Sequence, residues 1–220
     1  MNLFLTSSGF QNFETGKLRE ELANPFLESI SKQRNTKVCL IHTIRTQDDW
    51  KWLDLYDKEL HILNLPYETV NISEDTDLSH ISGYGIYYVC GGNTFYILDR
   101  LRKTKLDTVL LSEIQKGKCY IGVSAGSIIA GPDIEVSGIG EIPDKNDIHL
   151  SDLASFGWVP FDIFPHYTKN DRQHIDEFFN KRQESIIAIT DDQMVIVTDS
   201  NIRVIGKSGG FSIGDHVPTH

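Results

Sequence analysis

Short runs of wholly apolar residues alternate with stretches whose apolar positions recur every three to five residues, and this rhythm holds as far as about residue 130. Leu3-Phe4-Leu5, Val38-Cys39-Leu40-Ile41, Ile86 to Cys90 and Cys119-Tyr120-Ile121 are such runs and read as strands, and the mixed stretch Tyr67 to Ile72 reads as a further one. Each is too short for a helix, and several stop at Gly, Ser or Thr. Between them lie predicted helices. One follows the first strand, with Asn24 as cap and Pro25 in its first turn. Asp48 to Leu63 is the next, with Asp48 as cap and Trp52, Leu55, Leu60 and Leu63 spaced along it. Thr94 to Arg102 and Leu106 to Gln115 follow, and Gly117 ends the second of these. Another begins at Ala125 and runs to Ala130. Strands that are apolar throughout must be covered on both faces. The pattern therefore predicts an α/β fold of three layers, a mostly parallel central sheet with helices on both sides.

Beyond residue 131 the rhythm changes. Pro132 to Phe164 is rich in Asp, Gly and Pro and reads as loops with short strands. Asp171 to Arg182 reads as a helix. Ile186 to Ile189, Met194 to Thr198 and Ile202 to Ile205 read as closing strands, the last two joined by Asp199-Ser200-Asn201 in a hairpin. No repeat, low-complexity tract or linker interrupts the chain, so residues 1–220 are expected to form one domain.

Composition narrows the function classes. A chain of 220 residues can bury about 70% of its unfolded surface, so the core needs no staples. Hydrophobic residues make up 40% and charged residues 24%, the balance of an ordinary globular domain rather than a disordered chain. The net charge of −10 opposes nonspecific binding to nucleic acid or to an anionic membrane. Cys39, Cys90 and Cys119 are odd in number and sit in apolar runs, which is neither a disulfide framework nor a zinc site. The opening Met1 to Leu5 lacks the basic segment of a signal peptide, and no apolar run reaches the length of a membrane span. A cytoplasmic location is expected, and a homodimer is left open.

The strongest chemical signal is Gly122-Val123-Ser124-Ala125-Gly126. This G-x-S-x-G match follows a buried strand and precedes a helix, where a sharp turn would expose Ser124 at the carboxyl end of the sheet. The following helix would aim free amides at an oxyanion formed there. A glycine-rich turn with an incidental serine fits the bare pentapeptide as well. Gly91-Gly92-Asn93-Thr94, directly after another strand, allows close backbone approach to a ligand; its plainer reading is a tight turn capped by Asn93 or Thr94. A phosphate loop is disfavoured, because no Gly-Lys-Ser/Thr follows. Two such loops at carboxyl strand ends say more than either alone.

A serine nucleophile needs a base, and eight histidines are present. His166 differs from His42, His61, His80, His149, His174, His216 and His220: it follows Pro165 and lies between Phe164 and Tyr167. Glu135, Glu141, Asp191 or Asp192 could orient it, and spacing does not choose among them.

Taken together, Cys90-Gly91-Gly92-Asn93-Thr94-Phe95, Gly122 to Ser127 with Ala130-Gly131-Pro132, and Pro165-His166-Tyr167 resemble the dipeptidase E (aspartyl dipeptidase) family of serine peptidases, related to cyanophycinase. The resemblance runs from about residue 2 to residue 205. It implies a flavodoxin-like fold similar to that of class I glutamine amidotransferases, and cleavage of short peptides without metal or organic cofactor. By the same resemblance Ser124 is the nucleophile, His166 the general base and Asp191 the third triad member. Gly92 and Ala125 supply oxyanion amides, and Asn93 contacts substrate. Asp191 stands where the best-known members more often have Glu.

One departure bears on specificity. Members that recognise an N-terminal aspartate carry an arginine where this chain has Asp171. Arg172, one residue on, is the remaining basic candidate for substrate binding, rotated by about 100° around the helix. Two functions are therefore expected to compete. One is a serine peptidase of short peptides, with N-terminal Asp as a candidate first residue. The other is a catalytically altered or inactive member that binds a small peptide or another small molecule.

Overall fold

The computed structural model describes residues 1–44, 47–199, 201–215 and 217–218, and the backbone alone at 47–49. Ser200, His216 and His220 lie outside the described residues, as does the side chain expected to cap at Asp48.

The strands are β1 (Asn2–Thr6), β2 (Val38–His42), β3 (Tyr67–Asn71), β4 (Ile86–Val89), β5 (Cys119–Val123), β6 (Asp162–Phe164), β7 (Ile186–Ala188), β8 (Gln193–Thr198), β9 (Asn201–Gly206) and β10 (Phe211–Ile213). The helices are α1 (Glu20–Ile30), α2 (Gln47–Ile62), α3 (Thr94–Lys103), α4 (Leu106–Gln115), α5 (Ala125–Ile128) and α6 (Arg172–Arg182). The main sheet has the order β3-β2-β4-β5-β1-β8-β9. Its first five strands are parallel, β8 is antiparallel to β1, and β9 to β8. A smaller sheet, β10-β7-β6, is assembled from the segment after residue 131.

Successive strand side chains point to opposite faces, and here both faces are covered. Leu3, Leu5, Tyr87, Val89 and Tyr120 pack into one layer with α3, α4, α6 and the smaller sheet. Phe4, Val38, Leu40, Tyr88 and Ile121 pack into the other with α1 and α2. This is the three-layer α/β arrangement predicted from the continuous apolar runs. Cys39, Cys90 and Cys119 are free thiols buried inside it. Among the described residues no helix is long and apolar enough to cross a membrane.

The beginning of α1 departs from the expectation. Pro25 lies inside the helix, and the N-cap position is Arg19, without a side-chain capping bond, rather than Asn24. The buried stripe explains this: Leu22 and Ala23 precede the proline, and Phe26 and Ile30 follow it. Burying large apolar side chains at about 1.5–3 kcal/mol each outweighs the roughly 3 kcal/mol of an interior proline. At the other end of the chain, β10 is a strand that the apolar pattern did not mark.

Two pairings position the site. Thr6 stands opposite Met194 in the antiparallel β1–β8 pair, so the turn that leads into β8 lies at the carboxyl end of β1. In the smaller sheet β6 runs parallel to β7 with Phe164 opposite Ala188. The chains leaving these strands, toward His166 and Asp191, therefore emerge side by side. The Ile189 amide donates to Phe164 O at 2.9 Å and the Tyr167 amide to Ile189 O at 3.1 Å, extending the pairing past the strand ends.

Candidate active site

Ser124 occupies the turn between β5 and α5, with φ 51° and ψ −112°. Such a backbone costs about 1–3 kcal/mol and persists only where its surroundings enforce it. Here the enforcement is close packing. A Cβ on Gly122 would stand 2.4 Å from Gly126 O, and one on Gly126 would stand 2.3 Å from Val89 O. Only glycine fits either place. The Ser124 amide donates to Thr6 O at 3.0 Å, and Ser127 Oγ donates to Thr6 O at 2.7 Å and Gly122 O at 2.9 Å.

His166 reaches Ser124 from the neighbouring sheet. Its Nε2 lies 2.9 Å from Ser124 Oγ and its Nδ1 lies 2.6 Å from Asp191 Oδ1. His166 also has a positive φ, 56°. Among the described residues no other histidine is hydrogen-bonded to Ser124. The other candidate acids are engaged elsewhere. Asp192 pairs with Arg19 and Lys207, and Glu135 with Arg182. Glu141 lines a small cleft beside Ser124, and it is Asp191 that is hydrogen-bonded to His166 Nδ1.

Asp191 is about half exposed, yet it is held from several sides. Partial desolvation pushes its carboxyl up. The hydrogen bonds from His166 and Ser7 and the charge of Arg19 outweigh this and keep it below the ordinary carboxylate value. Asp191 is thus an anion across the neutral pH range, suited to hold an imidazole Nδ1–H.

Sequence reasoning missed the residues behind Asp191. Ser7 Oγ donates to Asp191 Oδ1 at 2.8 Å and accepts the His166 amide at 2.8 Å. Ser8 Oγ donates to Asp191 O at 2.9 Å. The only signal was the Thr6-Ser7-Ser8-Gly9 stop after an apolar strand, a run of hydroxyls at the same sheet end as Ser124. Further out, Glu59 on α2 is buried and pins the same loop, accepting the Phe10 amide at 2.7 Å and the Gln11 amide at 2.8 Å. Its other oxygen accepts the Tyr88 hydroxyl at 2.7 Å. Burial pushes the Glu59 carboxyl up to about 7, despite these bonds.

Two clefts meet at Ser124 and His166. The larger, of about 640 Å³, opens over Ser7, His42, Trp52, Tyr56, Gly91 and Asn93. The smaller, of about 170 Å³, lies over Ile128, Val136, Ile139, Phe164 and Asp171. Gly92 lines both and has φ 149°, in the region that favours glycine. Ala125 is the first residue of α5, where an amide has no intrahelical acceptor. Asn93 caps α3: its Oδ1 accepts the Tyr96 amide at 3.0 Å and its Nδ2 donates to Lys145 O at 2.9 Å. The side chain borders the larger cleft with much of its hydrogen-bonding capacity already engaged.

The structure does not bring Arg172 to Ser124. Its guanidinium pairs with Asp176 at 2.9 Å and stacks 4.1 Å above the Phe211 ring, and it lines neither cleft. Asp171 does border the smaller cleft. One of its oxygens accepts the Glu141 amide at 2.9 Å, and the other accepts Thr168 N at 2.8 Å and Thr168 Oγ1 at 2.9 Å. Burial raises its carboxyl, but these bonds outweigh burial and hold it below the ordinary value. Among the described residues no group of three or more His, Cys, Asp or Glu side chains could hold a metal ion.

Comparison with known proteins agrees with this architecture. The family model for peptidase family S51 matches residues 3–205. An uncharacterized peptidase of Listeria innocua is 32% identical over 171 residues, covering 76% of each chain. A peptidase E of a Nostoc species is 33% identical over 132 residues, covering 54% of this chain and 51% of its own. The crystal structure of a candidate peptidase E from Listeria monocytogenes superposes with a TM-score of 0.74 at 26% identity, over 94% of this chain and 98% of that one. A peptidase from an acI-B1 actinobacterium shares the fold, with a TM-score of 0.74 at 16% identity over 100% of this chain and 92% of that one. With a family match that spans nearly its whole length, the chain belongs to peptidase family S51 and is a peptidase.

Proposed function

We propose that this peptidase hydrolyses short peptides by a serine mechanism in which Ser124, His166 and Asp191 act together. The observation that carries the reading is the unbroken hydrogen-bond chain from Ser124 Oγ through both imidazole nitrogens to Asp191. Ser124 Oγ attacks the scissile carbonyl carbon as His166 Nε2 takes its proton. Asp191 keeps the Nδ1–H tautomer and stabilises the imidazolium that results. The carbonyl oxygen becomes an oxyanion, held by the amides of Gly92 and Ala125. Such donors are worth about 10²–10³ in kcat each. The tetrahedral intermediate collapses, the C–N bond breaks, and His166 returns the proton to the leaving amine. Water then attacks the acyl-enzyme with His166 again as base, releasing the acid and restoring the Ser124 hydroxyl.

The non-catalytic alternative drew its weight from Asp171. That residue serves a capping box around Thr168, which gives it a structural task independent of Ser124. The placement of Arg172 away from both clefts supports weak recognition of an N-terminal aspartate. The reading is tested by incubating a dipeptide library with the wild type and with Ser124→Ala. Turnover by the wild type and none by the variant is expected. Equal turnover by both would overturn it.

A further inference from the structure

The walls of the two clefts differ, and the difference bears on the peptide. Phe13, Ile44, Trp52, Tyr56 and Tyr96 contribute apolar surface to the larger cleft. Phe13 and Trp52 meet edge to face, with centroids 5.9 Å apart and planes at 77°. Trp52 remains 45% exposed at the edge of the cavity, with the Lys51 ammonium 5.5 Å from its ring centroid. The Tyr56 hydroxyl is engaged by the Gly91 amide at 3.1 Å, so that residue offers its ring.

Among the described residues lining this cleft there is no lysine or arginine. Asp191 is the acid there, and it faces His166. His42 is buried, which disfavours its charged form. An acidic side chain entering the cleft would lose water and meet no cation among the described lining residues. An aromatic side chain would lose water and meet aromatic edges, an arrangement that adds to plain burial. The larger cleft, about 640 Å³, falls in the range of roughly 300–1,000 Å³ typical of ligand pockets, and the smaller, about 170 Å³, falls below it.

We infer that the larger cleft is the subsite for a bulky aromatic side chain next to the cleaved bond, with Trp52 and Phe13 setting the preference. The smaller cleft then admits a small residue on the other side. This rests on the reading of Ser124 as nucleophile, since it is Ser124 that joins the two clefts.

The asymmetry is directly measurable. Phe-Gly and Gly-Phe place the ring on opposite sides of the bond, so one order is cleaved and the reverse order lags. The favoured order should exceed Gly-Gly by roughly 10- to 150-fold in kcat/KM, the equivalent of burying one phenyl side chain. Trp52→Ala should shrink that ratio by about tenfold, and Trp52→Phe should restore most of it. Asp-Gly and Gly-Asp should not exceed Gly-Gly.

Binding of the same peptides to Ser124→Ala, followed by calorimetry, separates the two claims. Selective binding of the aromatic peptide without turnover in the wild type would uphold the subsite and remove the serine reading. Turnover that ignores the aromatic ring, or that is equal in both orders, would overturn the subsite and leave the serine reading intact. A preference for the aspartyl peptides would also overturn it. Loss of that preference in Arg45→Gln, the residue after Ile44, would reassign the cleft to an acidic side chain.

Discussion

Asp191→Asn replaces one carboxylate oxygen by an amide nitrogen, and the geometry sets what that does. Asp191 Oδ1 lies 2.6 Å from His166 Nδ1 and accepts the Ser7 hydroxyl at 2.8 Å. An amide nitrogen at that place donates to Nδ1 and drives the proton to Nε2. The imidazole then presents N–H to Ser124 Oγ and has no lone pair to take its proton. In a fully buried triad the same change lowers kcat by about 10⁴, or about 5 kcal/mol. Here the His166 and Asp191 side chains are 50% and 57% exposed, so water shares the task of holding the ring. The expected loss is therefore smaller, about 10²- to 10³-fold in kcat/KM. An exposed acid with no buried apolar contact should leave the thermal midpoint within a few degrees of the wild type. The assay is steady-state kinetics on the best peptide of a library, with thermal unfolding as the control for folding. A folded variant whose kcat/KM stays within threefold of the wild type would rule out Asp191 as the acid that orients His166.

Ser7→Ala removes the hydroxyl between Asp191 and the His166 amide and should lower kcat by about 5- to 10-fold, the equivalent of one ordinary hydrogen bond; Ser7→Thr should recover activity, and steady-state kinetics decides. Asp162 on β6 is buried without a hydrogen-bond partner, and burial, followed by repulsion from Asp133 and Glu184, raises its carboxyl to about 7. A carboxyl raised above its unfolded value of 3.8 contributes stability that is complete below that pH and lost as pH rises through about 7. Unfolding titrations between pH 4 and 8 should thus show Asp162→Asn losing less stability than the wild type over that window. Gly126→Ala, whose Cβ would meet Val89 O at 2.3 Å, should destabilise the fold by about 1–3 kcal/mol in denaturant and disturb the Ser124 turn.

The layers of the fold were legible because every central strand is apolar on both faces, and a strand of that kind has few alternatives to a covered parallel sheet. Ser124 and His166 were legible for a related reason, since strain and close packing demand particular residues around them: Gly122 and Gly126 on one side, Pro165 on the other. Asp191 could be selected only through family resemblance, because its approach depends on the β6–β7 register and on β8 running back beside β1. Ser7 escaped for the same cause. Nothing local to Thr6-Ser7-Ser8 reveals that β1 lies between β5 and β8 in the sheet. Arg172 is a substrate candidate only because it stands one residue from the position where the resemblance expects an arginine. Its stacking on Phe211 depends on β10, a three-residue strand too short to leave a periodic signal. The start of α1 is hidden from local sequence because Pro25 mimics a first-turn proline while the buried stripe of Leu22, Ala23, Phe26 and Ile30 runs through it.

The proposed mechanism stands or falls with Ser124 as an activated nucleophile. Treatment of the folded protein with a fluorophosphonate, followed by mass mapping of the adduct, tests it without knowledge of the natural peptide. A single adduct on Ser124 is expected, absent from Ser124→Ala and formed far more slowly in His166→Gln. An unlabelled Ser124, or an adduct that persists in Ser124→Ala, would contradict it.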